Sequence, residues 1–276
     1  MSAPLATPPP APEPGSAGDW ALRLFDRSVL KQAKYRQIVA AVGDTAGKRC
    51  LDLGSDNGVI SYLLRRRGGS WASADLDRTT VEAIRGLVGD DAHQIDGQRL
   101  PFVDASFDVV VVVDLLEHVA DDAALVGEIR RVLRPGGVLV ANVPHLKPGS
   151  LLRKLRDALG LTDAWHGHVR PGYSRDSLHR LLGSDFVLET AQTYSGSFSM
   201  AIDTALNGGF HALQGRAAGQ SAGKGTVVTG ELVAKSRKQF TLLSALYPML
   251  WLGSRMDRLL FLQEGYMLII RARYTA

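Results

Sequence analysis

From residue 49 onward, short apolar runs alternate with stretches whose apolar residues recur every three or four positions. Residues 49–53 are apolar and end in a glycine-rich turn, which predicts a strand, and residues 59–67 predict the helix that follows, ended by Gly68 and Gly69. A second strand over 70–74, a second helix over 79–87 and a short third strand over 92–95 continue the pattern. Residues 107–113 are an apolar run rich in valine, as expected for a strand buried on both faces. A helix over 123–133, closed by Pro135-Gly136-Gly137, precedes a fifth strand over 138–143. Strands alternating with helices predict the α/β class: a parallel sheet with helices on both faces.

The flanking regions are less regular. Residues 1–18 are rich in Pro, Ala, Gly and Ser and are expected to be a disordered tail. One or two amphipathic helices follow from Asp19. Residues 150–160 predict a helix with Leu151, Leu152, Leu155 and Leu159 on one face and Arg153, Lys154 and Arg156 on the other. A histidine-rich loop over 165–174, a helix over 177–182 and a strand over 186–194 come next. Residues 208–225 are expected to be a loop, and residues 240–262 an apolar stretch broken by Pro248 and Gly253, before a last strand over 266–274. The expected organisation is one domain over 19–276, with a core over 19–146 and cap insertions over 147–185 and 199–263.

Composition narrows the class. The 276 residues are 45% hydrophobic and 22% charged, values of a globular protein rather than of a disordered chain or a collagen. No apolar run has the length of a membrane span, no signal peptide is expected, and the single cysteine, Cys50, reads as a small buried hydrophobe in a reducing compartment. A cytoplasmic location is expected. The net charge of +4 is unevenly spread: residues 1–145 carry −3 and residues 146–276 carry +7. A basic half suits an anionic substrate, a membrane surface or nucleic acid, or is simply solvated.

The turn LDLGSDNG, residues 51–58, joins the first strand to its helix, where glycines permit positive φ and a ligand can approach the backbone. Asp75 closes the second strand about 20 residues later, placed to accept both ribose hydroxyls of a nucleoside. Asp96 follows the third strand, where it could accept from an adenine amine, and Asp114 ends the fourth. All lie at the carboxyl ends of parallel strands, where open α/β sheets bind ligands. A dinucleotide dehydrogenase also uses a glycine turn and a distant acid, but G-S-D-N-G departs from its G-x-G-x-x-G pattern. No phosphate-binding P-loop is present, because Ala218 and Gly225 stand where its glycine and its Ser or Thr belong.

LDLGSDNG, SADLD, DGQRLPFVDASFDVVVVVDLLEHV and EIRRVLRPGGVLVANVPH, in this order over about residues 48–146, resemble the class I S-adenosylmethionine-dependent methyltransferases, closest to the small-molecule and quinone-type group. The resemblance implies a Rossmann-like seven-stranded, mostly parallel sheet with an antiparallel last strand, a helical cap from the C-terminal insertions, and S-adenosyl-L-methionine as methyl donor. By position it implies that Gly54, Ser55 and Gly58 form the turn under the methionine part, with Asp52 orienting that turn or the ligand's amino group. It assigns Asp75 to the ribose, Leu76, Asp96 and Gly97 to the adenine, and Asp114 and Leu115 to the reacting end. One departure is Asp56, where the family usually has a glycine; its carboxylate stands near the ligand's own.

The expected reaction is methyl transfer to a small molecule, most simply to an oxygen, with a histidine as general base. His118 follows the fourth strand, His145 the fifth, and His166 and His168 sit in the loop beyond; His145 and His168 are the catalytic candidates. His145, His166 and His168 could in principle hold a metal, but no metal site is expected. Tyr173 is a candidate for orienting substrate. In quinone-type relatives an insertion at the position of residues 150–160 covers the substrate and can touch membrane; here, with Tyr247, Trp251 and Phe261, it implies an amphiphilic or lipid-linked acceptor and peripheral membrane contact. The alternatives are a non-catalytic cofactor- or partner-binding protein on the same fold, or an RNA methyltransferase. No RNA-binding module is recognisable, and nucleic acid is not the expected partner.

Overall fold

A computed structural model describes residues 8–55, 57–89, 91–164, 166–214, 230–260 and 263–275. Helix α1 (Ala17–Phe25) starts where the Ser16 side chain accepts from the Asp19 N–H at 3.2 Å, so the last two residues of the expected tail are helical. Helix α2 (Val29–Val42) is capped in the same way by Ser28. The alternation then runs β1 (Arg49–Leu53), α3 (Val59–Arg65), β2 (Ser70–Asp75), α4 (Arg78–Val88), β3 (Ala92–Gln94), β4 (Phe107–Val113), α5 (Asp122–Val132) and β5 (Leu133–Pro144). Helices α6 (Leu151–Ala158) and α7 (Arg175–Leu182) lead to β6 (Phe186–Tyr194), α8 (Ser197–Gln214), α9 (Gly230–Arg255) and β7 (Met267–Tyr274).

The seven strands form one sheet in the order β3-β2-β1-β4-β5-β7-β6. β1 to β5 are parallel, and β7 is antiparallel to both β5 and β6. The fold is therefore the Rossmann-like methyltransferase architecture expected from the sequence. β4 shows why its sequence is continuously apolar. Val110 and Val112 pack into the cluster shared with α5 and α7, while Val109, Val111 and Val113 pack into the cluster shared with α1, α2 and α3. Cys50 sits in the second cluster, and burial pushes its thiol up to about 12, which leaves it unreactive.

Three local expectations are corrected. Pro135-Gly136-Gly137 does not close α5; that helix ends at Val132, and Leu133 already pairs with Phe107 as the start of β5. An added Cβ at Gly137 would stand 2.8 Å from the Arg134 carbonyl oxygen, so the glycine serves a close turn within the strand. The loop expected over 208–225 is helical as far as Gln214, within α8, and its remainder lies outside the described residues. Pro248 and Gly253 lie inside α9 rather than breaking it. An added Cβ at Gly253 would meet Ile202 Cδ1 at 3.2 Å, so the glycine admits α8 against α9, and this packing offsets the propensity cost.

Candidate functional site

The sheet reverses its winding between β1 and β4, and a cleft of about 370 Å³ opens at the carboxyl ends of the strands there. Gly54, Ser55, Asp114, His145 and His168 all line it. Leu76 and Asp96 line a separate shallow depression at the β2–β3 end. Asp52, Gly58, Asp75, Gly97 and Leu115 line neither, and each supports the site from behind or beside it. Asp56 lies outside the described residues.

Asp52 is fully buried beneath the glycine-rich turn. Its carboxylate accepts from the hydroxyls of Ser55, Ser61 and Ser73 and faces the Arg65 guanidinium at 3.4 Å. These contacts tie the carboxylate to the turn and to the strand and helix beside it. Gly54 holds φ +88° while its N–H donates to the Ala74 carbonyl. Gly58 holds φ +76°, and an added Cβ would stand 2.8 Å from Ile84 Cα. Here the need for glycine comes from the approach of α4. Gly58 also gives α3 no side-chain cap, which leaves backbone donors at that helix start facing the turn.

The adenine end is built from short-range contacts. Asp75 is buried at the end of β2 and accepts from the Asp77 N–H at 3.2 Å. Asp96 accepts from the N–H groups of Gln98 and Arg99 at 2.8 and 3.0 Å, which holds its carboxyl below the usual range. An added Cβ at Gly97 would lie 3.2 Å from Leu76, so that glycine lets the Leu76 side chain stay over the depression. A nucleoside fits this set: buried Asp75 beside the turn, and Leu76 with Asp96 in a shallow apolar-and-acidic recess.

At the opposite end, Asp114 has positive φ, +46°, and its carboxylate is held from two sides. Lys34 of α2 forms an ion pair with one oxygen, and the Asn142 amide donates to the other at 2.6 Å. The Tyr194 hydroxyl donates in turn to Asn142 Oδ1 at 2.5 Å. Burial, and then the Asp114 charge, push the Tyr194 phenol well above its ordinary value, so it remains a donor. Leu115, expected at the reacting end, is fully buried in the core under the cleft floor.

His145 leaves the end of β5 with only its edge on the cleft. Its Nδ1 lies 2.9 Å from the Gly265 carbonyl, which can only accept; Nδ1 therefore carries the proton and Nε2 the lone pair. Gly265 is constrained, because an added Cβ would lie 2.0 Å from the Tyr194 carbonyl oxygen. Glu264 stands 4.0 Å from Nε2. His168, His166 and His118 form a second group across the cleft, with the His118 and His168 rings edge to face and those of His166 and His168 stacked. His166 Nε2 accepts from Arg156 at 3.1 Å. Burial holds both His166 and His168 below the ordinary histidine value, reinforced by Arg156 for His166 and by His166 for His168.

Two expectations fail here. Tyr173 is buried, with its hydroxyl given to Asp122 at 2.7 Å and accepting from Arg170 at 2.9 Å, so it ties down the loop rather than meeting a substrate. Helix α6 turns its basic face into the cleft and its leucines outward. Arg153 pairs with Asp163 and Arg156 with Asp203 inside the cleft, while Leu151, Leu155 and Leu159 are 82%, 50% and 45% exposed. Tyr247 and Trp251 do not line the cleft; Tyr247 donates to Gln32 of α2, and Phe261 lies outside the described residues. No helix among the described residues is long and apolar enough to cross a membrane. Sequence reading missed Lys34, Asn142 and Tyr194; only Asn142, a polar residue inside an apolar strand, carried a visible signal.

Comparison with known proteins matches residues 51–141 to the methyltransferase domain family. A ubiquinone biosynthesis O-methyltransferase of Psychrobacter arcticus is 33% identical over 116 residues, 39% of this chain and 45% of that protein. A demethylmenaquinone methyltransferase of Clavibacter sepedonicus is 36% identical over 118 residues, 41% and 48% of the two chains. The match thus spans about half the length of these relatives. Among solved structures, the cyclase SpnF superposes with a TM-score of 0.59 at 19% identity, covering 89% of this chain and 81% of that one. A geranyl diphosphate C-methyltransferase of Streptomyces coelicolor, solved with Mg2+, geranyl diphosphate and S-adenosyl-L-homocysteine, superposes with a TM-score of 0.53 at 14% identity, covering 89% and 78%.

Proposed function

We propose that this protein, whose residues 51–141 match the methyltransferase domain family, transfers a methyl group from S-adenosyl-L-methionine to an oxygen of a small, amphiphilic acceptor. The observation that carries the reading is the meeting, in one cleft, of the Gly54–Ser55 turn, the fixed Asp114 carboxylate and the free face of His145. The donor, when bound, supplies an electrophilic methyl group. Gly54, Ser55 and the start of α3 would hold its amino-acid part, Asp75 its ribose, and Leu76 and Asp96 its adenine. Asp114, paired with Lys34 and oriented by Asn142, places its carboxylate beside the reacting end.

His145 has the tautomer of a general base, since Gly265 fixes the proton on Nδ1 and leaves the Nε2 lone pair to take one from an acceptor hydroxyl. His168, neutral near pH 7, is the second candidate on the far wall. Phe25, Leu30, Leu161 and Met200 give the cleft its apolar lining, which suits an acceptor with an apolar body. The outward leucines of α6, beside the cleft mouth, support an acceptor met at a lipid surface.

The test is calorimetric titration of the protein with S-adenosylhomocysteine, with NAD in parallel. Micromolar binding of the first and none of the second is expected. Because a cyclase shares this architecture, fold alone does not fix the reaction. Absence of S-adenosylhomocysteine binding would overturn the proposal in favour of a non-catalytic scaffold.

A further inference from the structure

We propose that Glu117, His118 and His168 form a site for a divalent transition-metal ion on the cleft wall, with the remaining coordination positions open to an oxygen of the acceptor. One donor atom from each of these three residues lies within 4.8 Å of the others, and all three line the cleft. Two imidazoles and one carboxylate are a donor set for zinc, iron or cobalt rather than for magnesium or calcium, whose sites are built from oxygens.

The residues are held in place as metal ligands usually are, by contacts behind them. Glu117 and His118 share a single 3-10 turn, Leu116–His118, just after β4. The loop carrying His168 is fastened to that turn by three bonds. The Val169 N–H donates to the Glu117 carbonyl at 2.8 Å, Arg170 donates to the Leu116 carbonyl at 2.7 Å, and His118 Nδ1 donates to the Gly167 carbonyl at 3.0 Å. The last bond fixes the His118 tautomer and leaves Nε2 with the lone pair. The Glu117 side chain is fully buried, and His168 Nδ1 is buried with no hydrogen-bond partner among the described residues. Each nearby cation has an acidic partner. Arg153 is paired with Asp163, Arg156 with Asp203 and Lys34 with Asp114.

Sequence reading expected no metal and grouped His168 with His145 and His166. The structure separates His145 from this cluster and substitutes Glu117 and His118. The use of the metal rests on the methyl-transfer reading: it would bind an acceptor hydroxyl and lower its pKa, the proton passing to His145 or to solvent. The existence of the site does not rest on it.

The full chain, freed of affinity tag and stripped with chelator, is titrated calorimetrically with ZnCl2 and, in parallel, with MgCl2. One equivalent of Zn2+ at micromolar affinity or better is expected, with no Mg2+ binding. His118→Ala and His168→Ala should each weaken Zn2+ binding by about tenfold or more, whereas His93→Ala, outside the cleft, should not. Cobalt substitution of the unaltered protein gives a readout independent of variant folding: visible d–d absorption of a nitrogen- and oxygen-ligated ion is expected. Lack of saturable Zn2+ binding, a missing cobalt spectrum, or full Zn2+ affinity in folded His118→Ala would overturn the site. S-adenosylhomocysteine titration of the metal-free protein keeps the two proposals apart. Metal binding without it would sink the methyltransferase reading alone, and the reverse result would sink the metal site alone.

Discussion

Lys34 in α2 and Asp114 at the end of β4, 80 residues apart in sequence, form an ion pair across the cleft, each side chain about a quarter exposed. Such a partly exposed pair contributes little to stability, so Lys34→Met should lower unfolding free energy by about 1 kcal/mol or less. Asp114→Asn keeps a residue that tolerates left-handed backbone and should cost similarly little. Asp114→Val forces a β-branched side chain onto φ +46° and should cost about 1–3 kcal/mol. Urea denaturation of the three variants checks this; equal stability of the Val and Asn variants would show that the strained backbone is not native.

Asp75 closes β2 where a ribose would lie, so its removal tests the ribose contact. Asp75→Ala should weaken S-adenosylhomocysteine binding by about 1–3 kcal/mol, the worth of charge-assisted hydrogen bonds. Calorimetry with thermal unfolding as a control measures it, and undiminished affinity would remove Asp75 from the cofactor site.

His145→Gln should leave cofactor affinity intact and reduce turnover by about 10²–10⁴-fold, the usual contribution of a positioned general base. Turnover equal to wild type would move the base to His168 or show that none is needed. If affinity for S-adenosylhomocysteine falls instead, His145 is part of the cofactor wall.

Glu128 links the adenine end to α5. It accepts from the Leu100 N–H at 2.8 Å and pairs with Arg131, which also donates to the Leu100 and Phe102 carbonyls. The Arg131 hydrogen bond holds the Glu128 carboxyl below its ordinary value. A group with a depressed folded value stabilises the fold above its unfolded pKa and loses that contribution as pH falls through the folded one. Wild type should therefore lose melting temperature below pH about 4.5 more steeply than Glu128→Gln, which should be the less stable of the two at pH 7. Parallel slopes would mean that the pair is not formed in solution.

Replacing Leu151 and Leu155 by serine should abolish flotation with anionic lipid vesicles while leaving S-adenosylhomocysteine binding unchanged, because these side chains face away from the cleft. Undiminished flotation would place the lipid contact elsewhere.

The elements that were most legible are those whose pattern is dictated by both neighbours. β4 runs over residues 107–113 as read, because each valine is covered from one side or the other. The strand ends carrying Gly54, Ser55, Asp114 and His145 could be placed because parallel sheets put their connecting turns on one edge. The two faces of helix α6 were legible, but not which of them meets the cleft, because an amphipathic period alone does not name its neighbour. Asp163 and Asp203, which turn the arginines inward, lie outside the helix and left no mark on its periodicity. Lys34 was invisible for the same reason: its partner is fixed by the approach of α2 to the sheet, not by any local spacing.

The position of β7 bears on how the chain comes to be folded. It lies between β5 and β6, and the Gly265 carbonyl just before it is the partner of His145, 120 residues earlier. A growing polypeptide that already contains every cofactor-side strand must hold β5 as an open, apolar sheet edge until that distant segment has emerged. During this interval the edge is a template for the wrong strand, from its own chain or another. Synthesis speed and chaperone capture, rather than the stability of the finished sheet, should then govern the yield of folded protein, and His145 meets its Gly265 partner only after that segment has arrived.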